Sequence, residues 1–144
     1  MTLRPIQPEG YDTWRLFWAA CLEFYQTSVE DNIYKLRLNR LISSEQPKQC
    51  DFGAELDGAL LGSDHYILRP RNWKSKKAVY LEDLFPKNDQ RGKGTDRAFI
   101  QAVYRIADIN ATSTVYWRTQ ETKIMVRWLY DNIVTLTTFI RHTR

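Results

Sequence analysis

KAVYLEDLFPKNDQRGKGTDRAFIQAVYRI, Lys77 to Ile106, is the stretch on which the fold turns. It reads as a buried strand ending near Pro86, a short polar turn carrying Gly92 and Gly94, and a helix with a basic first turn. A strand that delivers a glycine-rich loop to a helix N-terminus makes an anion site. Unpaired backbone N–H groups and the positive end of the helix dipole converge there. Arg91 and Lys93 add charge to it. Alternation along the strand puts Val79, Leu81, Asp83 and Phe85 on one face and Tyr80, Glu82 and Leu84 on the other, so the neighbouring carboxylates point opposite ways.

Working outward, the 144 residues suffice for one domain with one real core. No apolar run is long enough to span a bilayer and the N-terminus lacks a signal-peptide core, so cytoplasmic residence without a membrane partner is expected. Cys21 falls on an apolar helical face and Cys50 opens a strand; both read as reduced and structural. With His65 and His142 the only histidines, metal-ligand spacing is missing and no metal is expected. The net charge of +4 suits an anionic partner without naming one.

Thr2 to Gln7 reads as an edge strand. From Asp12, the residues Trp14, Phe17, Trp18, Cys21, Leu22 and Tyr25 recur at helical steps, with Asp12 or Thr13 available as cap. A second helix starts after Thr27 or Ser28, carrying Ile33, Leu36, Leu38 and Leu41 on its apolar side and Arg37 and Arg40 on a basic outer face. Phe52 to Leu56 and Ala59 to Leu68 form a hairpin about Asp57-Gly58. His65 reads as a hydrogen-bonded structural residue of that strand. Arg69 to Lys77 reads as a solvated basic hairpin tip around Trp73.

Beyond the central strand, Ala98, Phe99, Ile100, Ala102 and Val103 give a helix apolar nearly all round, packed between other elements and ended at Asn110. Thr114 to Arg118 is the next strand, about Lys123 to Asn132 a further helix, and Leu136 to His142 a closing strand.

The spacing Arg91-x-x-Gly94-x-Asp96, the run Tyr80-Leu81-Glu82-Asp83-Leu84-Phe85, and Trp117-Arg118-Thr119-Gln120-Glu121 followed by Arg127-Trp128-Leu129-Tyr130-Asp131 together resemble the GNAT superfamily of acetyl-CoA-dependent N-acetyltransferases. Within it they look like the polyamine acetyltransferase branch. The resemblance implies an α/β (mixed α+β) three-layer fold over residues 1–144, with a central mixed, mainly antiparallel sheet flanked by about four helices. It implies acetyl-CoA as co-substrate, held by Leu84, Phe85, Pro86, Arg91, Gly92, Lys93, Gly94, Thr95, Asp96, Arg97 and Lys123. Glu23, Tyr25, Glu82 and Asp83 would line the site of a small amine acceptor, polyamine- or amino-acid-like. Glu82 would help deprotonate the amine, a backbone N–H near Leu84 or Phe85 would stabilise the oxyanion, and Tyr130 would protonate the departing thiolate. A homodimer is allowed.

Four positions depart from the family pattern. Asp96 stands where Gly or Ala is usual, Pro86 removes a backbone donor, Lys123 replaces a common Asn, and Thr138 replaces a Gly. Two other readings therefore stay open: a GNAT-like binding module without catalysis, and a small basic nucleic-acid-binding domain resting on the Arg69 to Lys77 segment, the latter disfavoured because no nucleic-acid-binding motif accompanies it.

Overall fold

The computed structural model describes residues 1–43, 49–119, 127, 130–132 and 134–138. β1 (Thr2–Arg4) leads through a 3-10 turn at Pro8–Gly10 directly into α1 (Tyr11–Phe24). The turn continues into the helix, with Tyr11 N–H bonding the Pro8 carbonyl, so Gly10 takes the cap position and no side chain caps α1. Neither Asp12 nor Thr13 serves as the cap that the sequence offers. α2 (Asp31–Ile42) buries Tyr34, Leu38 and Leu41 and leaves Leu36 exposed.

Asp57 and Gly58, with φ of 52° and 78°, close the tight turn between β2 (Gln49–Leu56) and β3 (Ala59–Arg71), as the Asp-Gly pair requires. β4 (Lys74–Pro86) returns antiparallel to β3. The basic segment expected as a loop is thus mostly strand: only Asn72 and Trp73 turn the chain, and Trp73 stands 97% exposed at the tip. A 3-10 turn at Asn88–Gln90 and the glycine turn precede α3 (Thr95–Ile109), and β5 (Val115–Trp117) follows. The sheet order is β1-β2-β3-β4-β5, antiparallel except for the β4–β5 pair.

Two layers of side chains hold helices to the two faces of this sheet. On one, Trp14, Trp18 and Cys21 of α1 meet Tyr34, Leu38 and Leu41 of α2 and Phe85 of β4. On the other, Ile100, Val103 and Ala107 of α3 meet Tyr66, Val79 and Leu81, while Phe99 packs on Ala54 and Leu61. α3 is one-sided rather than enclosed: Arg97, Gln101, Arg105 and Asp108 lie in solvent. Among the described residues there are three α-helices; the fourth, expected over 123–132, lies mostly outside them, with Arg127, Tyr130 and Asp131 helical. Of the closing strand, Leu136 to Thr138 are irregular and the rest lies outside the described residues. No described helix is long and apolar enough to cross a membrane.

Gly62 of β3 pairs with Pro86 at the end of β4. A Cβ there would meet Pro86 Cα at 2.9 Å, the Phe85 carbonyl at 3.0 Å and Phe99 Cε2 at 3.1 Å. Two of these three are backbone atoms, which cannot swing aside. Gly62→Ala should therefore cost roughly 1–3 kcal/mol, read as a lower urea midpoint at unchanged slope. A midpoint equal to wild type would mean that the strands part without strain.

Candidate active site

The end of β4 departs from simple alternation. His65 pairs with Asp83 and Tyr66 with Leu81, so Glu82 is an extra residue with no partner of its own on β3. Such a bulge consumes one step of the side-chain period. Before it, Val79 and Leu81 face α3; after it, Leu84 faces α3 and Phe85 joins the α1–α2 layer. The expected face assignment is corrected accordingly. Glu82 and Asp83 both turn to the α1–α2 side, Glu82 toward Arg37 and Asp83 toward His65.

Arg37 is not part of a basic outer face. Its side chain is only 12% exposed, its Nη2 donates to Glu82 Oε2 at 2.8 Å, and its guanidinium lies 5.7 Å from the Trp18 ring. On Asp83, burial acts to raise the pKa, but the hydrogen bond from the His65 ring and, further off, the Arg37 guanidinium outweigh it and hold the carboxyl below its usual range. Asp83 is ionised at neutral pH. His65 is 2% exposed and is fixed from both sides. Trp14 Nε1 donates to Nε2 at 3.1 Å, so the ring proton sits on Nδ1 and is donated to Asp83 Oδ2 at 3.0 Å.

Beyond Leu81, β4 runs on while its pairing with β5 stops at Leu81 and Trp117. Among the described residues, the β5-side edge of β4 from Glu82 onward therefore has no strand beside it. Leu84 is half-buried, Phe85 and Pro86 are buried, and Pro86 offers no N–H to this edge.

The loop that follows is open. Arg91, Gly92, Lys93 and Gly94 are all exposed; Gly92 and Gly94 have φ of 72° and 89°, and a Cβ at either would meet nothing within 4 Å. Gly94 caps α3 without a side-chain bond, which leaves first-turn amides available. The Thr95 side chain is buried and faces the core, so only its backbone belongs to the loop surface. Arg97 is exposed. Arg91 folds back, its guanidinium 5.0 Å from the Phe24 ring and 5.3 Å from the Phe85 ring. Asp96 accepts a hydrogen bond from its own amide; burial nonetheless raises its pKa against the pull of Arg91 and that amide.

Tyr25, just past α1, lies within electrostatic reach of Cys21, Asp83, Arg91 and Tyr80; burial first, then Cys21, Asp83 and Tyr80, push its hydroxyl up against the pull of Arg91. Tyr130 packs edge-on against Trp117 at 5.2 Å. Burial, then the charges of Asp96 and Tyr25, raise the Tyr130 pKa, so its hydroxyl keeps its proton at neutral pH. Burial likewise pushes the Cys21 thiol up to about 12, which fits an inert core residue. Glu23 is exposed on α1, and Lys123 lies outside the described residues. Among the described residues, no three His, Cys, Asp or Glu side chains gather as a metal site requires.

No family model matches the chain. The D-amino-acid N-acetyltransferase HPA3 of Saccharomyces cerevisiae is 24% identical over 145 residues, covering 100% of this chain and 90% of that protein. The ribosomal-protein-alanine N-acetyltransferase of Brucella melitensis superposes with a TM-score of 0.82 at 17% identity, over 99% of this chain and 96% of that one. The aminoglycoside N-acetyltransferase AAC(6')-Iy in complex with CoA gives 0.85 at 17% identity, over 99% and 93%. The fold is that of the GNAT acetyltransferases.

Within this GNAT fold, Tyr25 past the end of α1 lies within electrostatic reach of Asp83 at the bulge and of Arg91 in the glycine turn, and Arg91 packs on Phe24 and Phe85. For three members of the cluster the sequence hides the partner. The spacing on α2 puts Arg37 in solvent, which the structure overturns; His65 reads as a hydrogen-bonded strand residue, as its two ring bonds bear out, and Trp14 reads as a packing residue. Their partners lie 45, 18 and 51 residues away in sequence. The one available signal was a lone strand histidine near a lone aromatic helix face.

Proposed function

We propose that the chain is an acetyl-CoA-dependent N-acetyltransferase acting by direct transfer on a primary amine of a small molecule, polyamine- or amino-acid-like. The observation that carries this reading is the bulge, which gathers Glu82 and Asp83 beside the edge of β4 that β5 leaves free. The loop supports a diphosphate nearby: two glycines with open space above them, an uncapped helix start, and Arg91, Lys93 and Arg97 around it. Gly92 to Arg97 would hold it through their amides.

The thioester supplies an acyl group already activated for attack. What this chain must add is position and proton traffic. Glu82 and Asp83 hold the incoming ammonium. Its ordinary pKa lies several units above that of Asp83, and each unit costs about 1.4 kcal/mol, so the carboxylate does not keep the proton. The side chain of Asp83 is 24% exposed, which lets the proton pass on to water. The neutral amine then forms the C–N bond as the C–S bond breaks, and the second proton it sheds on becoming an amide leaves by the same carboxylates to water. Tyr130, which keeps its proton, donates it to the sulfur and is reprotonated from solvent. His65 and Trp14 act as positioning residues for Asp83.

Incubation with acetyl-CoA and a panel of primary amines, followed by free thiol, tests this. Release of thiol in step with N-acetylated product is expected. No turnover and no acetyl-CoA binding by calorimetry would overturn it.

A second reading, a binding module without catalysis, draws on Asp96, whose carboxylate engages an amide that a diphosphate would use. Asp96→Asn removes the charge while keeping the shape. It should tighten acetyl-CoA binding about fivefold, the equivalent of roughly 1 kcal/mol of relieved repulsion in a solvated loop. An unchanged dissociation constant would mean that Asp96 does not oppose the phosphate.

A further inference from the structure

We propose that Arg118 binds an acceptor carboxylate, so that the substrate is an α-amino acid and not a polyamine; this rests on the acetyl-transfer reading above. Arg118 directly follows β5, whose last pair is Trp117 with Leu81, and so stands beside the bulge. Its guanidinium is fixed in place. Nε donates to the Tyr80 hydroxyl at 3.0 Å, Nη2 donates to the same oxygen, and the guanidinium carbon lies 5.1 Å from the Tyr80 ring. Tyr80 is itself 8% exposed and stacked on Tyr116 at 5.0 Å. The anchor is rigid.

An arginine has five N–H donors, and these bonds use only part of them. Arg118 is exposed, and among the described residues it joins no salt bridge. A guanidinium held still with donors to spare is the arrangement that a carboxylate matches. Tyr80 and Glu82 lie one side-chain period apart on the same face of β4, about 7 Å along the strand. An ammonium at Glu82 and Asp83 therefore leaves a carboxylate on the same small molecule within reach of Arg118. Charge points the same way. A polyamine brings only positive charge to a face that already holds Arg37, Arg91 and Arg118, whereas a zwitterion has an end for each sign.

The test compares α-amino acids, their carboxamides and spermidine as acceptors for the wild-type protein and for Arg118→Met and Tyr80→Phe, reading kcat/KM by thiol release and acceptor binding by ligand-observed NMR. Wild type should prefer each amino acid over its carboxamide by about 10- to 100-fold, the range for one charge-assisted contact. Arg118→Met should bring that ratio near one by weakening the acid, with the carboxamide changed less than about threefold. Tyr80→Phe, which frees the guanidinium, should reduce the ratio in part. An undiminished preference in Arg118→Met, or spermidine as the best acceptor, would overturn the proposal. Amino-acid binding that depends on Arg118 without any turnover would support the carboxylate site and sink the transfer reading. Neither binding nor turnover would sink both.

Discussion

Asp83→Asn should lower kcat/KM for acetyl transfer by about a hundredfold while leaving the fold intact, because the charge is lost and the shape is not. The amide oxygen still accepts the Nδ1 proton of His65, so the buried imidazole keeps its partner. What disappears is the negative charge that holds an ammonium and lets its proton leave. A carboxylate held below its usual range is ionised throughout the neutral range, so it does not set the pH dependence there. The free-amine fraction does. Wild-type kcat/KM should rise about tenfold per pH unit between pH 6 and 8 and flatten only near the acceptor's own pKa. A plateau already at pH 6, or an Asp83→Asn protein within threefold of wild type, would remove Asp83 from the mechanism.

The same group makes a stability prediction of definite sign. Its folded pKa lies below the unfolded value, so Asp83 stabilises the native state above about pH 4 and that contribution is lost as pH falls through the folded pKa. The stability gap between wild type and Asp83→Asn should be constant from pH 5 to 8 and shrink in acid. Denaturant titrations at several pH values measure it.

Trp14→Ala should cost about 3–5 kcal/mol, a large share of the total stability of a domain this size, and lower the melting temperature by roughly 10–20 °C. Trp14 is fully buried, stacks on Trp18 at 5.3 Å and 25°, and donates a hydrogen bond to His65 Nε2. The substitution opens a cavity and orphans a buried acceptor at once. Trp14→Phe separates the two effects: most of the packing remains, the donor is lost, and about 1–3 kcal/mol should go with it. A Phe variant as stable as wild type would mean that the indole N–H contributes nothing and that the tautomer is held by Asp83 alone.

Local chemistry carried much of this architecture in the chain itself. Asp57-Gly58 announced its turn, the aromatic stripe from Trp14 to Tyr25 announced α1, and Gly92 and Gly94 announced an open loop before α3. The bulge was illegible for a physical reason. An extra residue exists only relative to the partner strand, and nothing in Tyr80-Leu81-Glu82-Asp83 says that β3 will skip Glu82. Every face assignment after that point was inverted by one step. Arg37 misled similarly: on α2 alone its spacing is that of a solvent residue, and its inward turn depends on Glu82, 45 residues on.

That single inserted residue lets one strand answer to two layers. Upstream, its apolar side belongs to α3; downstream, its aromatic side belongs to α1 and α2. Drawing Glu82 into regular pairing, with the bulge ironed out, would place Asp83 on the side of Leu81 and so swing it out of the α1–α2 layer into the oily underside beneath α3. The defect in the weave is what keeps a charged group and a greasy one each on its proper side.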